Sequence, residues 1–288
     1  MFNRRARLDP GQVRDMRGGR GPGGRGLAVG GGGIGAVVLA IAFMFITGQD
    51  PSAILGPGAG GGGGNQGAGS TTLQEECRTG ADANEREDCQ IVGFVNSIQD
   101  YWNDTYQGYQ EAETVIFEDG VSTGCGTASS QVGPFYCPSD QTVYLDLGFF
   151  DQLQRDLGAQ GGPLARAYVL AHEYGHHIQN LEGILGRSQS GGSGPDSPAV
   201  RIELMADCFA GAWAKNAEET GFLEQITREQ LGQAVDAAAA VGDDRIQERV
   251  QGQVDPHRWT HGSSEQRQGW FVEGYRSGSP DSCDTFAQ

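Results

Sequence analysis

A cluster of histidine and glutamate stands near the middle of the chain, in "AHEYGHHIQ" at residues 171–179. On a helix, successive residues turn by about 100°, so His172 and His176 lie about 40° apart on one face, where both imidazoles can reach one metal ion. Glu173 lies beside that face, near enough to meet a water on the metal. His177 lies about 140° from His172. We therefore expect His177 to pack or to support the site from outside.

A metal-bound water requires a third protein ligand, because catalytic zinc usually has three protein ligands and one open position. The stretch "RIELMADCFAGAWA" offers Glu203 and Asp207, four residues apart on one helical face. Their neighbours are mostly apolar, so both carboxylates should be buried and need partners. We predict Glu203 as the third ligand and Asp207 as the acceptor that holds a ligand imidazole. The alternative is two solvated acids on a helix surface.

The elements that position these residues follow from periodicity and end signals. Helices are predicted over residues 85–107, from Pro163 to Leu181, from Pro198 with Ser197 as its N-cap, and over 227–240 and 263–275. The β-rich runs "ETVIFED" and "QTVYLDL" predict strands of one small sheet. The second could lie at the rim and pair with a substrate backbone, or in the core. The expected fold class is α+β, mainly helical, with the cleft between the sheet and the motif helix.

Six cysteines fit disulfide bonds in an oxidising compartment. Two pairs are close in sequence, so we expect Cys77 with Cys89, Cys125 with Cys137, and the remaining Cys208 with Cys283. A thiolate zinc site is the alternative, although it usually shows C-x-x-C spacing, which this chain lacks.

The amino-terminal part predicts a membrane protein. Residues 1–26 form a basic arm, residues 27–47 carry no charge over a length that could cross a bilayer as a helix, and residues 48–72 are a Gly-rich linker. All seven arginines of residues 1–47 precede the span, so the arm is expected in the cytoplasm and residues 73–288 outside. The expected localisation is therefore the cell membrane, with a single transmembrane helix. A cleaved signal peptide is the alternative.

The net charge of −17 and the single lysine among residues 48–288, Lys215, disfavour nucleic acid as a partner. We expect no organic cofactor either.

Taken together, the H-E-x-x-H spacing and the E-x-x-x-D pair resemble the thermolysin-like zinc peptidases. More closely, "GGGGIG", "GPFYCPSDQTVYLDLGFF", "HEYGHHIQ", "RIELMADCFAGAWA" and "THGSSEQRQGWF" resemble the bacterial neutral zinc metallopeptidase family. The resemblance covers about residues 73–286 and the anchor. It implies a zincin-like fold with Zn²⁺ on His172, His176 and Glu203, and Glu173 as general base.

The resemblance implies hydrolysis of a peptide or protein substrate outside the cell. His261 is the candidate donor for the oxyanion of the tetrahedral intermediate. Alternatively, His261 or Ser263 caps the last helix and Glu265 completes a capping box. Two other functions remain open: a zinc-stabilised binding or scaffold protein at the cell surface without activity, and a zinc hydrolase that acts on another amide bond.

Overall fold

Helices dominate the structure, a computed structural model that describes residues 1–18, 70–189 and 191–287. The helices are α1 (Ser70–Glu76), α2 (Gly80–Glu85), α3 (Glu87–Thr105), α4 (Gly148–Arg155), α5 (Pro163–Leu181), α6 (Pro198–Asn216), α7 (Arg228–Ala240), α8 (Asp243–Gln251) and α9 (Ser264–Ser277). The expected α+β, helix-rich class is confirmed. All five helices predicted from the sequence are present, and α5 has the predicted bounds.

Side-chain caps explain where the helices that form the site begin. The Ser197 hydroxyl accepts the backbone N–H of Val200 and starts α6, as predicted. Ser263 caps α9 in the same way, and its capping box is completed by Gln266. The prediction that Glu265 completes this box is wrong, because Gln266 is the third helical residue, from which a side chain reaches back to the N-cap.

A four-stranded sheet lies beside the helices. Its strands are β1 (Val13–Asp15), β2 (Glu113–Phe117), β5 (Phe135–Cys137) and β6 (Thr142–Asp146), in the order β1-β2-β6-β5. Only β5 pairs antiparallel, with β6. A separate hairpin joins β3 (Gly120–Thr123) to β4 (Gly126–Ser129). The two strands predicted from the sequence are the neighbours β2 and β6 inside the sheet, and the edge strands are β1 and β5.

The first residues of the chain belong to the same folded body. Phe2 is 1% exposed and packs against the ring of Phe94. Gly93 leaves room for that ring, because a Cβ there would lie 2.4 Å from Phe2 Cε1. The backbone N–H of Leu8 donates to the Arg78 carbonyl, and β1 pairs in parallel with β2. Residues 2–15 thus contribute to both the core and the sheet.

These contacts correct the predicted localisation. The prediction of a single-pass membrane protein with a cytoplasmic arm and an extracytoplasmic domain is wrong, because residues 2–15 contact the domain that was expected across the bilayer. Within the described residues, no helix combines the length and the apolar character that crossing a membrane requires. The predicted anchor, residues 27–47, and most of the predicted linker lie outside those residues.

The three predicted disulfides are present. Cys77–Cys89 joins the end of α1 to α3, Cys125–Cys137 joins the β3–β4 turn to β5, and Cys208–Cys283 joins α6 to the chain's last turn. All six sulfurs are thereby paired, so the alternative of a thiolate zinc site does not hold.

Candidate metal site

The site forms where α5 and α6 approach each other closely. A Cβ at Gly175 would lie 2.9 Å from the Cα of Ala206, so the glycine permits a contact that a larger residue would prevent. This approach places the face of α5 that carries His172 and His176 against Glu203 of α6.

Three ligand atoms converge between the two helices. His172 Nε2 lies 3.2 Å from Glu203 Oε2, and His176 Nε2 lies 3.5 Å from Glu203 Oε1. The ligand atoms of the three residues all lie within 4.8 Å of one another, and all three side chains are buried. Two imidazole nitrogens and one carboxylate oxygen are a donor set that suits zinc.

Both imidazoles are oriented through their other ring nitrogen. His172 Nδ1 lies 2.8 Å from Asp207 Oδ1, and His176 Nδ1 lies 2.8 Å from Gln179 Oε1. Gln179 donates its amide N–H to the carbonyl of Ile202, which turns its oxygen towards His176. Because both partners are acceptors, each Nδ1 carries a proton, and each Nε2 faces Glu203, where it would bind a metal once it has no proton.

Glu173 is buried beside these ligands. Its Oε2 has no hydrogen-bond partner among the described residues, and the backbone of Tyr136 lies near the carboxylate. Burial raises the pKa of Glu173 to about 7, against the opposing positive charge of His172. A buried carboxylate with an unpartnered oxygen needs a partner, and a metal-bound water would supply it. The site therefore fits a zinc ion.

Burial and charge set the protonation of the ligands. Burial lowers the pKa of His176 to about 4, so this imidazole is neutral. Burial alone would lower the pKa of His172 too, but the negative charge of Asp207 raises it to about 9. Burial would raise the pKa of Glu203, but the two histidines bring it well below its usual range. Glu203 is thus ionised, as a zinc ligand must be.

Asp207 is the centre of a buried network that includes two residues not predicted from the sequence. It accepts from Tyr168 Oη at 2.6 Å and from Arg267 Nε at 2.8 Å. Arg267 comes from α9 and shares a buried face with Phe271 and Gly274. The sequence could have indicated this role. Arg267 is four residues before Phe271, which places it on the apolar face of the helix, and a buried arginine needs an anionic partner.

His177 lies on the other side of α5, away from the ligands. Its Nε2 donates to the Gln110 carbonyl at 2.6 Å, and its Nδ1 accepts from the Tyr136 hydroxyl at 2.9 Å. The structure therefore agrees with the prediction that His177 is outside the ligand set.

His261 is buried near the site. Its Nδ1 lies 3.2 Å from Asp243 Oδ1, and its backbone N–H donates to Asp243 Oδ2. Burial alone would lower the pKa of His261, but Asp243 raises it. The charge of His261 helps to lower the pKa of Glu203, so the two side chains are electrostatic neighbours. Ser263, and not His261, caps α9. Asp243 was not predicted from the sequence.

Two helices that present two histidines and a glutamate to one point have the arrangement of a zinc metalloprotein. The chain belongs to the family described as "Putative neutral zinc metallopeptidase", whose model matches residues 2–286. Zinc is the cofactor of this family, and the cluster of His172, His176 and Glu203 is the candidate site for it. The match begins at residue 2, so it includes the amino-terminal residues up to 15 that pack on the domain.

Two relatives are similar over most of the chain. An uncharacterized protein of Mycobacterium tuberculosis (strain ATCC 25618 / H37Rv) is 47% identical over 249 residues, which cover 84% of each chain. The uncharacterized protein YpfJ of Escherichia coli (strain K12) is 39% identical over 230 residues, which cover 76% of this chain and 79% of the relative. No solved structure matches the chain at a significant level.

Proposed function

We propose that this protein is a zinc-dependent peptidase in which His172, His176 and Glu203 hold the metal and Glu173 is the general base. The observation that carries the proposal is the buried, unpartnered carboxylate oxygen of Glu173 beside three converging ligand atoms. A metal site with a purely structural role would need no such carboxylate, and would usually have a fourth protein ligand.

Glu173 would move the proton in this reaction. Bound zinc would polarise the scissile carbonyl and lower the pKa of an attacking water towards about 7. With its own pKa raised to about 7, Glu173 can take a proton from that water and pass it to the departing amine.

The edge strand β5 is the proposed dock for the substrate backbone. β5 is one of the two edge strands of the sheet, and the backbone of its Tyr136 lies near the Glu173 carboxylate. An extended peptide that pairs with this edge would therefore pass beside the general base. A helix with the metal ligands next to an antiparallel edge strand also supports the zincin-like arrangement implied by the sequence resemblance.

His261 is the proposed donor to the oxyanion of the tetrahedral intermediate. Asp243 engages its Nδ1 and its backbone N–H, which fixes the ring and leaves Nε2 for a substrate. A fixed donor can stabilise charge that develops during the reaction, at no cost of reorganisation.

Cleavage of a mixed-sequence peptide pool by the zinc-loaded full chain tests the proposal. The full chain is needed because Phe2 is part of the core. Glu173→Gln is expected to retain zinc and to lose about 10²–10⁴-fold in rate, the usual contribution of a general base. The control Glu182→Gln changes an exposed glutamate at the end of the same helix and should cleave as the wild type does.

Full activity of the Glu173→Gln chain would remove Glu173 from the mechanism. A wild-type chain that binds zinc but cleaves no peptide in the pool would contradict a general peptidase.

A further inference from the structure

Arg267 is buried next to the candidate metal ligands, with 3% of its surface exposed. It comes from α9, whereas the candidate ligands come from α5 and α6. Its Nη2 lies 3.3 Å from His172 Nδ1 and 3.9 Å from Glu203 Oε2. A permanent positive charge this close to a metal cation repels it, so its position there needs an explanation.

The explanation is that the guanidinium holds Asp207. Arg267 Nε donates to Asp207 Oδ2 at 2.8 Å, and Nη2 donates to Oδ1 at 3.0 Å. Nη1 donates to the Val241 carbonyl, which holds the guanidinium itself in place. A bidentate pair of this kind fixes the plane of a carboxylate.

The orientation of Asp207 determines that of His172. Oδ1 is the atom that accepts from His172 Nδ1, and it also accepts from the hydroxyl of Tyr168. If Arg267 were removed, the carboxylate could rotate about its own bond, and its buried charge would lose its cationic partner. His172 would then be held less firmly with Nε2 towards the metal.

We propose that Arg267 is a positioning residue of the zinc site: through Asp207 it fixes the ring of His172 and so strengthens metal binding. This inference rests on the proposed zinc ligands but not on peptide hydrolysis. The two effects of Arg267 have opposite signs. Direct charge repulsion weakens zinc binding, whereas positioning strengthens it, so the sign of the change on substitution decides between them.

The experiment is zinc competition between a chelator of known affinity and the full chain. Arg267→Gln is expected to weaken zinc binding roughly 10–100-fold, the range typical of groups that orient a metal ligand. Arg267→Lys should fall between this variant and the wild type, because an ammonium cannot hold both carboxylate oxygens in a fork. Arg276→Gln makes the same change at an exposed position of α9 and should bind zinc as the wild type does.

A double-mutant cycle tests the route through Asp207. Asp207→Asn alone should weaken zinc binding, and Asp207→Asn with Arg267→Gln should weaken it no further. If the two effects multiply, Arg267 does not act through Asp207 and the proposal is overturned. Tighter zinc binding by Arg267→Gln would overturn it too, since charge repulsion would then dominate.

A role of Arg267 in fold stability alone is distinguished from a role in zinc binding by measuring the Tm of each variant with and without zinc. A variant with a lowered Tm in the metal-free state but a wild-type zinc-induced rise in Tm would show that Arg267 supports only the fold, and would overturn the proposal. If Arg267→Gln does not fold, Arg267→Lys decides: weaker zinc binding supports the proposal and wild-type affinity contradicts it. A wild-type chain that fails to bind zinc would instead overturn the metal site itself, whatever the variants do.

Discussion

Two faces of the same helix, α5, carry histidines with different tasks. On one face, His172 and His176 point their Nε2 atoms at Glu203 of α6. On the other, His177 bridges the Tyr136 hydroxyl of β5 and the Gln110 carbonyl. All three rings are buried, so burial does not separate a ligand from a structural residue.

The partners of each ring make the distinction. The two candidate ligands give Nδ1 to Asp207 or Gln179 and turn Nε2 towards the shared carboxylate of Glu203, whereas the nitrogens of His177 contact a hydroxyl and a backbone carbonyl. In neutral His177 the one lone pair of the ring accepts from the Tyr136 hydroxyl, and the described part of the chain places no second metal ligand beside it. Through its hydrogen bond to Tyr136, His177 holds α5 against the edge strand β5.

The largest effect is expected on the metal face. His176→Ala removes a ligand, so it should weaken zinc binding by more than about 100-fold, the upper end for a change in a group that only orients a ligand. Peptide cleavage should be lost with the metal, and a chelator should have the same effect on the wild type. The measurement is zinc bound per chain after dialysis. One tightly bound zinc per His176→Ala chain would show that the two faces do not differ as described.

A smaller effect of another kind is expected on the strand face. His177→Phe leaves the Gln110 carbonyl and the Tyr136 hydroxyl short of a partner, so it should lower the free energy of unfolding by about 2–4 kcal/mol. Zinc affinity should stay at the wild-type value. Denaturant unfolding and chelator competition on the same variant measure the two quantities. Loss of zinc without loss of stability would reverse the assignment of His177.

The smallest effect is expected one turn further along the strand face. Asn180 donates to the Tyr136 hydroxyl at 3.0 Å. Asn180→Ala removes this single bond and should cost about 1 kcal/mol of stability, with zinc affinity unchanged. The readout is the shift of the denaturation midpoint at constant slope. A larger cost than that of His177→Phe would mean that Asn180, and not His177, chiefly holds β5 against α5.

The metal face could be predicted because its information is local. The spacing of His172 and His176 implies a shared helical face, and the carboxylates of α6 lie among apolar neighbours that imply burial. The same holds for the N-caps at Ser197 and Ser263, each read from a few adjacent residues. Even so, the partner in the α9 capping box was misassigned by one position.

Contacts between distant segments could not be read in the same way. Nothing in "MFNRRARLDPGQVRD" shows that Phe2 packs on Phe94 or that residues 13–15 add a strand to the sheet, because such short segments have no periodicity of their own. Five of the seven arginines that predicted the topology, those up to Arg17, therefore belong to a segment packed on the domain. Arg267 and Asp243 were missed for a related reason, since each acts on a residue from another helix or loop.

Anomalous diffraction at the zinc edge, from crystals of the full chain grown with zinc, would locate the metal itself. We expect one peak about 2.0–2.2 Å from Nε2 of His172, Nε2 of His176 and a carboxylate oxygen of Glu203. A peak bound to His177, or no zinc between α5 and α6, would contradict this expectation.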